Sequence, residues 1–538
     1  MNSINKKLLT IIVLILFSMS IITSCNNGGD NLSGSDSDST ISESQNSDVS
    51  VDSSSETLSD SSESDSSDSS SDPASGESSS DESSNDSSEP TQQITPTPTS
   101  QVSASPTPGV TPLPSNINMN GKTVKININN FDAANIMSTQ SGQYFMKHVD
   151  AISKKFNCKI EMGAIDWNTF YTKMAAGDPG ADILGVGGNL NFGNSMKNNW
   201  LYPLSDLGFD FTQSQFDQDA QKLVLVNGKY YAAIPQTVGW ENVMDTLAMF
   251  FNKKLVKDAG YNPDSLYTMQ QNGTWNWAKF EEIAKKINKD TNSDGKIDVY
   301  GVANGYWDNF LWSALILSNN SDWVKKSNGL MTFTGDESRA VSALNFWQKL
   351  AYTNKMVYTP NDNSVDAMFV QGKIGFLPQY VNRANFPAFK AMRDDWGIVL
   401  TPKGPDASRY YSPVSWYDGY SIPAVALQND DADRTYGRQL AAIINELSKP
   451  SIPSNLINTI TEIQFESLVR DEGTIETFNL IKSTKIRSEY YNGISSVGQA
   501  LNSELVTNVS IGNKDINAVI SENKASYTNM LRDLWNFE

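Results

Sequence analysis

The sequence predicts an α/β fold, because patterns typical of strands and of helices alternate through residues 119–538. In VKININN, the apolar residues Val124, Ile126 and Ile128 recur at every second position, which is typical of a strand. A run with helical spacing follows, and then a second strand-like run. The folded part is roughly 420 residues long, which exceeds the size of a usual single core, so we expect two lobes.

The first residues have the pattern of an export signal. Two lysines precede an apolar run at 8–17, which is too short for a comfortable membrane span. The segment 22–25 (ITSC) resembles the lipobox of bacterial lipoproteins. This resemblance implies that the signal peptide, 1–24, is removed and that Cys25 carries acyl chains such as palmitate. An unmodified cysteine at the end of a signal peptide is the alternative.

Residues 25–118 are predicted to form a disordered tether. Ser and Asp dominate its first part and Thr and Pro its second, and such a composition buries too little apolar surface to offset the entropy of ordering. The tether holds 17 acidic residues and no basic residue, and therefore most of the formal net charge of −20. The folded part lacks the charge balance of a nucleic-acid-binding surface, so nucleic acid is not an expected partner.

A glycine turn follows the third predicted strand of the folded part. The strand, 181–186 (ADILGV), is short and apolar and leads directly into Gly187, Gly188 and Asn189. In open α/β sheets, ligands bind at the carboxyl ends of parallel strands. Gly188 and Asn189 are therefore candidate ligand contacts, and a plain tight turn is the alternative.

The stretch 228–254 holds two apolar runs on either side of a polar centre. The runs 230–234 and 247–251 suit buried strands, and Pro235 ends the first of them. Local pattern alone favours a hairpin with Trp240 in the core. The alternative is a crossing between two lobes, which would place Trp240 at a cleft, and the resemblance described next favours this crossing.

Several segments resemble, in a shared order, the family 1 extracellular solute-binding proteins, the group that includes maltose-binding protein. FNKKLV, AGYNP, TWNWAKFEEIAKKI and a closing YG carry the resemblance most specifically. KMAAGDPGADIL, LYPLSDL, MFVQGKIGFLP and DDWGIVLTPKGPDA follow the order of the family. The resemblance covers nearly all of 122–447, and beyond Pro450 it rests on helical composition alone. It implies a two-lobed periplasmic-binding-protein-like fold of the class II type, with a hinge and an interlobe cleft.

The resemblance also implies how the solute-binding domain, 119–538, divides into lobes. Lobe 1 would comprise about 119–236 and 375–450, and lobe 2 about 245–372 and 451–538. MFVQGKIGFLP would then be the segment by which the chain returns to lobe 1.

The segment 290–301 (DTNSDGKIDVYG) follows the pattern of a calcium-binding loop. The candidate ligands at loop positions one, three, five, seven and nine are Asp290, Asn292, Asp294, the carbonyl of Lys296, and Asp298. Position twelve is Gly301, so the bidentate glutamate that completes an EF-hand is missing. Calcium is a possible structural cofactor of this loop, a metal-free turn is the alternative, and no other cofactor is expected.

Aromatic residues beside polar ones in apparent loops form the candidate ligand site. The chain has 12 tryptophans and 20 tyrosines. Sugars present C–H-rich faces that stack on aromatic rings, and hydroxyl groups that need planar polar partners. The candidate ligand-binding residues are Trp240, Tyr306, Trp307, Asp308, Tyr380, Arg383, Trp416, Tyr417 and Asp418. Core or rim packing is the alternative for each, and the resemblance places the regions of Tyr380 and Trp416 near the cleft.

The sequence offers no credible catalytic constellation. His148 is the one histidine and lies on the apolar face of a predicted helix, and Cys158 is the one cysteine beyond Cys25. A metal or nucleophile site would need further partners. We therefore expect no enzyme. A surface polysaccharide-degrading enzyme that uses Asp418 is one alternative, and a glycan-binding adhesion module without transport is another.

Taken together, these observations predict a cell-surface, lipid-anchored substrate-binding protein of an ABC transporter. Its two lobes would close on a sugar or oligosaccharide, and permease subunits would be its partners. We expect a monomer on the outer face of the cell membrane, as on a Gram-positive cell surface. The residues do not determine which sugar is bound, and a non-sugar solute is an open alternative.

Overall fold

The computed structural model describes residues 112–114, 116–129, 131–187, 192–305, 310–327, 330–360, 364–414, 417–488 and 499–535. The predicted signal peptide, Cys25 and the tether as far as residue 111 lie outside these ranges. Among the helices in these ranges, none is long and apolar enough to cross a membrane.

Strands and helices alternate along the described chain, as the sequence predicts for an α/β fold. The described strands are β1 (Thr123–Ile128), β2 (Lys159–Ala164), β3 (Ile183–Gly187), β4 (Leu201–Tyr202), β5 (Leu225–Val226), β6 (Lys229–Tyr230), β7 (Leu247–Asn252), β8 (Tyr300–Ala303), β9 (Val324–Ser327), β10 (Leu330–Phe333), β11 (Val357–Tyr358), β12 (Ile374–Tyr380), β13 (Trp396–Val399), β14 (Ser412–Val414), β15 (Asp418–Pro423) and β16 (Lys485–Arg487). The described α-helices span Ala133–Ser138, Gln140–Lys155, Phe170–Ala175, Phe192–Lys197, Gln218–Gln221, Glu241–Met244, Lys253–Asp258, Ser265–Gln271, Trp277–Ile287, Phe310–Ser318, Ser338–Gln348, Val365–Val370, Pro387–Lys390, Thr435–Leu447, Ile457–Leu468, Glu472–Thr484, Gln499–Glu504 and Ile516–Trp535.

The first lobe is built on a five-stranded sheet with the order β2-β1-β3-β15-β4. β1 runs parallel to β2 and β3, whereas β15 runs antiparallel to β3 and β4. Val124 and Ile126 of β1 are fully buried. They lie in one core cluster with apolar side chains of the helices Gln140–Lys155 and Thr435–Leu447. The alternation of apolar residues in β1 therefore marks the face that these helices cover.

The second lobe is built on another five-stranded sheet, with the order β11-β8-β12-β7-β13. β7 pairs with β12 on one side and with β13 on the other. All six of its residues are buried, because its alternate side chains lie in two core clusters on opposite faces of the sheet. The helix Trp277–Ile287 packs against this sheet through Phe280 and Ile283, as its apolar periodicity predicts.

The predicted return to the first lobe near residue 375 is wrong. Strand β12, Ile374–Tyr380, pairs antiparallel with β7 and parallel with β8, so it belongs to the second sheet. Strand β13, Trp396–Val399, pairs with β7 and belongs there too. The chain rejoins the first sheet only at β15, Asp418–Pro423. An apolar run predicts a buried strand, but it does not determine which sheet the strand joins.

The first crossing between the sheets lies within the stretch 228–254. Ala233 bridges Tyr420 of β15, on the first sheet, whereas Leu247 begins β7 in the second sheet. The hairpin alternative is wrong, because β7 pairs with β12 and β13 rather than with the run that precedes it. Beside this crossing, Thr246 bridges Val414 of β14, and β14 pairs in parallel with β16.

The last described part of the chain packs on the second lobe. Phe465 and Phe478, from the helices Ile457–Leu468 and Glu472–Thr484, share a core cluster with Phe250 of β7. The helix Ile516–Trp535 packs against β10 of the second lobe and also contacts the helix Phe192–Lys197 of the first.

Candidate functional site

The carboxyl ends of the parallel strands β1, β2 and β3 meet at one edge of the first sheet. Asp418, the first residue of β15, pairs with Gly187, the last residue of β3, and therefore lies at this edge. The side chain of Asp418 is exposed. This is the edge at which open α/β sheets bind ligands, so its carboxylate is in place to accept hydrogen bonds from one.

Trp167 lies at the same edge, in the turn that follows β2. Its indole Nε1 donates a hydrogen bond to Oδ1 of Asn129, which follows β1, at 2.9 Å. The Trp167 ring is partly buried, and its centroid lies 5.0 Å from that of Phe170. Sequence reasoning missed Asn129 and Trp167. Asn129 directly follows the first strand and Trp167 lies three residues after the end of the second, which is the signal that selected Gly188 and Asn189.

The crossing from the first sheet to the second brings two further carboxylates to this region. Glu241 begins the helix Glu241–Met244, and Asp245 directly follows that helix. Burial and the charge of Asp418 raise the pKa of Asp245 to about 7. The charge of Glu241 adds to this increase in pKa, whereas Arg487 opposes it. The Asp245 carboxylate accepts no hydrogen bond from any side chain or amide in the described ranges.

Glu241 and Tyr420 share this electrostatic environment. Burial raises the pKa of Glu241, and the amide of Val238 offsets part of this shift. Burial also raises the pKa of the Tyr420 phenol, and the charges of Asp418 and Glu241 raise it further. We call Glu241, Asp245 and Asp418 the acidic cluster, because the charges of Asp418 and Glu241 both act on Asp245.

Two basic residues of β16 lie beside the acidic cluster, and each has a partner of its own. Arg487 forms a buried ion pair with Asp217, which caps the helix Gln218–Gln221 of the first lobe. The Lys485 ammonium donates to Oδ1 of Asn242 at 2.9 Å. Burial lowers the pKa of Lys485, and the charge of Asp217 opposes this. Arg487 and Lys485 therefore both interact with groups outside the acidic cluster.

Trp240, predicted to face the cleft, lies at the crossing directly before Glu241. Its ring is partly buried against the core of the second lobe. Its indole Nε1 is buried and finds no hydrogen-bond partner within the described chain. Gly239 before it adopts φ +61°, and a Cβ there would lie 2.4 Å from Oγ1 of Thr461. The crossing is therefore fitted closely against the helix Ile457–Leu468.

Tyr380 and Arg383, also predicted ligand contacts, follow β12 in the second lobe. The Tyr380 ring packs edge-on against Phe310, with the ring centroids 5.0 Å apart. Nε of Arg383 lies 3.5 Å from a carboxylate oxygen of Asp366, whose other oxygen accepts a hydrogen bond from Gln379 at 2.9 Å. β12 runs parallel to β8, so Tyr380 lies at the same sheet edge as the end of β8.

The structure describes only some of the other predicted contacts. Tyr417 is 3% exposed and stacks on Phe192, with the ring centroids 5.9 Å apart, so its ring lies in the core. The remaining predicted contacts, Gly188, Asn189, Tyr306, Trp307, Asp308 and Trp416, lie outside the described residues.

In the loop predicted to bind calcium, the side chains accept hydrogen bonds from the loop itself. The Asp290 carboxylate accepts from the amides of Ser293 and Gly295, at 2.7 and 2.8 Å. Asp294 accepts from the amide of Lys296 at 2.8 Å, and Asp298 accepts from the amide of Thr291 at 2.7 Å. Asn292 accepts from the amide of Asp294 at 2.9 Å. Within the described ranges, no three His, Cys, Asp or Glu residues are arranged to hold a metal ion.

His148 has a structural partner. Its ring Nε2 lies 2.8 Å from the backbone carbonyl oxygen of Glu446. This contact joins the helix Gln140–Lys155 to the helix Thr435–Leu447, away from the acidic cluster.

Comparison with known proteins supports one family. The sequence model of the family described as bacterial extracellular solute-binding protein matches residues 138–432. No curated protein matches the chain in sequence.

Solved structures share the fold at low sequence identity. The cyclic α-maltosyl-1,6-maltose binding protein from Arthrobacter globiformis is 14% identical, with a TM-score of 0.55 over 77% of this chain and 100% of that one. An ABC substrate-binding protein from Listeria monocytogenes, solved with cycloalternan, is 16% identical, with a TM-score of 0.51 over 78% and 100%. UgpB from Mycobacterium tuberculosis, solved with glycerophosphocholine, is 14% identical, with a TM-score of 0.51 over 76% and 98%. These proteins share the fold, and two of them were solved with different solutes, cycloalternan and glycerophosphocholine.

Proposed function

This chain belongs to the bacterial extracellular solute-binding proteins, since the family match spans more than half of its length, and we propose that it captures a sugar for an ABC importer. The observation that supports the site most directly is the acidic cluster at the crossing between the two sheets. There, the side chain of Asp245 is partly buried, and burial together with the charge of Asp418 raises its pKa to about 7. A carboxylate in partly desolvated surroundings is stabilised by a hydrogen-bond donor, and a hydroxyl group of a bound solute would supply one.

A sugar fits the chemistry of this region. Asp245 and Asp418 can accept hydrogen bonds from hydroxyl groups, and the nearby rings of Trp240 and Trp167 offer faces on which a sugar ring can stack. One protein of similar fold was solved with cycloalternan and another is named for binding a cyclic maltose derivative, and both support this choice. Asp418 lies on the first lobe and Asp245 at the crossing, so a solute that touches both favours the closed arrangement of the lobes.

The proposal is tested by calorimetric titration with mono- and oligosaccharides selected in a thermal-shift screen. We expect one-to-one binding that weakens at least tenfold in Asp245→Asn and in Asp418→Asn, because each variant loses a charge-assisted hydrogen bond. Asp150→Asn is the matched control, since Asp150 is an exposed carboxylate that pairs with Lys154 on an outer helix. Unchanged affinity in both cluster variants would place the site elsewhere.

We propose further that Cys25 anchors the protein to the outer face of the membrane, as the lipobox-like segment before it indicates. The finding that supports export is membership of an extracellular family. Labelling cells with an alkyne analogue of palmitate should mark the wild-type protein and leave Cys25→Ser unmarked. Equal labelling of both proteins would contradict the anchor.

Calcium binding by the loop 290–301 remains our proposal. The spacing of Asp290, Asn292, Asp294 and Asp298 supports it. To bind the ion, the carboxylates of Asp294 and Asp298 would have to give up the hydrogen bonds that they accept from the amides of Lys296 and Thr291. We expect millimolar calcium to raise the melting temperature of the wild type above that in chelator, and to leave Asp298→Asn unchanged. A melting temperature that does not respond to calcium would indicate that the amides alone hold the loop.

A further inference from the structure

A row of aromatic rings leads away from the edge of the first sheet at which β1, β2 and β3 end. It begins at Trp167, whose indole Nε1 donates to Asn129 at that edge. The ring centroid of Trp167 lies 5.0 Å from that of Phe170, which lies 5.4 Å from that of Tyr171. The Tyr171 centroid in turn lies 6.4 Å from that of Trp200. We call Trp167, Phe170, Tyr171 and Trp200 the aromatic row.

The rings of the aromatic row differ in exposure. Phe170 is 3% exposed and lies in a core cluster. Trp167 and Trp200 are partly buried against the same cluster, whereas Tyr171 is 40% exposed. Phe170 therefore fixes the row to the core, and the other rings keep part of their surface accessible to solvent.

Hydrogen bonds hold the backbone at both ends of the row. Beside Trp167, the Asp166 carboxylate accepts from the hydroxyl of Thr169 at 2.7 Å, which fixes the turn into the next helix. At the other end, the carbonyl of Trp200 accepts from the amide of Ala424 at 2.8 Å. The row is thus ordered before a ligand binds, and this lowers the entropic cost of stacking a ligand on it.

The composition of this surface suits a sugar. Single exposed apolar residues are common, but neighbouring aromatic rings that remain accessible are typical of binding surfaces. Exposed polar residues flank them in the sequence, since Thr172 follows Tyr171 and Asn199 precedes Trp200. A sugar ring stacks its C–H-rich face on an aromatic ring, and its hydroxyl groups hydrogen-bond to amide and hydroxyl side chains.

The aromatic row is continuous with the proposed sugar site. Trp167 belongs to both, because it follows β2 at the sheet edge where Asp418 also lies. The helix Phe170–Ala175 then leads from the end of β2 back toward the start of β3. Trp200 directly precedes β4, which pairs with the last residues of β15 and therefore lies toward the opposite edge. A sugar chain that leaves the site beside Trp167 thus meets Tyr171 and Trp200 on its way along the lobe.

We propose that the aromatic row is an outer binding site for an oligosaccharide, in which Tyr171 and Trp200 stack on sugar units that extend beyond the cleft. This inference rests on the proposed function as a sugar receptor. It narrows the solute to chains that are longer than the cleft alone encloses. A short sugar that lies within the cleft does not reach Tyr171.

The test compares a short and a long chain of the same sugar units. The probes are maltotriose with maltoheptaose and cellotriose with cellohexaose, in calorimetric titrations of the purified full-length protein. We expect the longer member of one pair to bind at least fivefold more tightly than the shorter. Tyr171→Ala should remove this gain and leave the affinity for the shorter member unchanged, because the gain comes from stacking outside the cleft.

Tyr352→Ala is the matched control. Tyr352 is also 40% exposed, but it lies in the second lobe, directly after the helix Ser338–Gln348. This variant should keep the full gain of affinity with chain length. Loss of the gain in Tyr352→Ala as well would contradict a specific role for the aromatic row.

Hydroxyl-radical footprinting gives a second readout that needs no variant. The longer chain should protect Tyr171 and Trp200 from oxidation, and the shorter chain should leave their oxidation unchanged. An affinity that does not rise with chain length, or a rise that survives in Tyr171→Ala, would overturn the inference and leave the sugar-receptor function intact. Binding of neither pair would also overturn it, and the wider sugar screen would then decide the proposed function separately.

Discussion

Among single residues, Asp245 should make the stability of the ligand-free protein depend on pH. Its pKa is raised to about 7 in the folded state, well above that of an aspartate in an unfolded chain. Between roughly pH 4 and 7 the folded state therefore binds more protons than the unfolded state, and the free energy of unfolding falls as pH rises. Above about pH 7 the effect is complete, because the carboxylate is then ionised in both states.

We predict that Asp245→Asn is more stable than the wild type at pH 8 by about 1–3 kcal/mol, since the variant removes a buried charge. At pH 4.5 the two proteins should have similar stability. Urea unfolding at a series of pH values measures both quantities. Glu241 also has a raised pKa, so some pH dependence should persist in the variant. If the free energy of unfolding changed with pH in the same way in both proteins, ionisation of Asp245 would not destabilise the folded state.

The sequence selected some residues of this site but missed others for a physical reason. Asp418 stood out because it lies among aromatic residues, and the structure places it at the start of β15, beside the last residue of β3. Asp245 lies in a short polar segment that looks solvent-exposed in sequence. The charges that act on it come from Asp418 of β15 and Arg487 of β16, which follow it by more than 170 residues in the chain, and no local pattern reports such neighbours.

Among the elements, the crossing is held by a close contact at Gly239. Its φ of +61° is a conformation that favours glycine, and an added Cβ would lie 2.4 Å from Oγ1 of Thr461 and 3.1 Å from Cγ2 of Ile457. We predict that Gly239→Ala lowers the free energy of unfolding by about 2–4 kcal/mol, because backbone strain and a steric clash add together. The midpoint of urea unfolding measures this loss.

Gly180→Ala separates the two contributions to that loss. Gly180 has a similar φ of +71°, but nothing lies within 4 Å of an added Cβ. This control should lose only the strain, about 1–2 kcal/mol. If both variants lose the same amount, then the helix Ile457–Leu468 yields to the new methyl group and the crossing is less tightly fitted than the distances indicate.

Periodicity predicted individual elements better than it predicted their neighbours. The helix Trp277–Ile287 follows directly from its spaced apolar residues, because one face of a helix must be buried wherever the helix packs. The strand Ile374–Tyr380 was also expected, but in the wrong lobe. Since a central strand is apolar on both faces, β12 would have the same composition in either sheet.

Across the whole molecule, the helix Ile516–Trp535 joins the two lobes at a second place besides the crossings. Trp535 at its end is fully buried, and an added Cβ on Gly193 of the first lobe would lie 3.0 Å from its indole Nε1. The ammonium of Lys326, in β9 of the second lobe, lies 4.6 Å from the centre of the Trp535 ring and donates to the carbonyl of Leu223 at 2.8 Å. Sequence composition gave only a helix here, because the partners of Trp535 come from distant segments.

We predict that Trp535→Ala lowers the free energy of unfolding by about 3–5 kcal/mol, as expected for removal of a fully buried large side chain. Met530→Ala on the same helix is the control, because Met530 is 36% exposed and should change stability by less than about 0.5 kcal/mol.

Because Trp535 contacts both lobes, its removal should also let them separate. Small-angle scattering of the ligand-free variant, under conditions in which it stays folded, should therefore give a larger radius of gyration than the wild type. A stability loss with an unchanged radius would mean that the ring stabilises the second lobe alone, and that the crossings by themselves set the distance between the lobes.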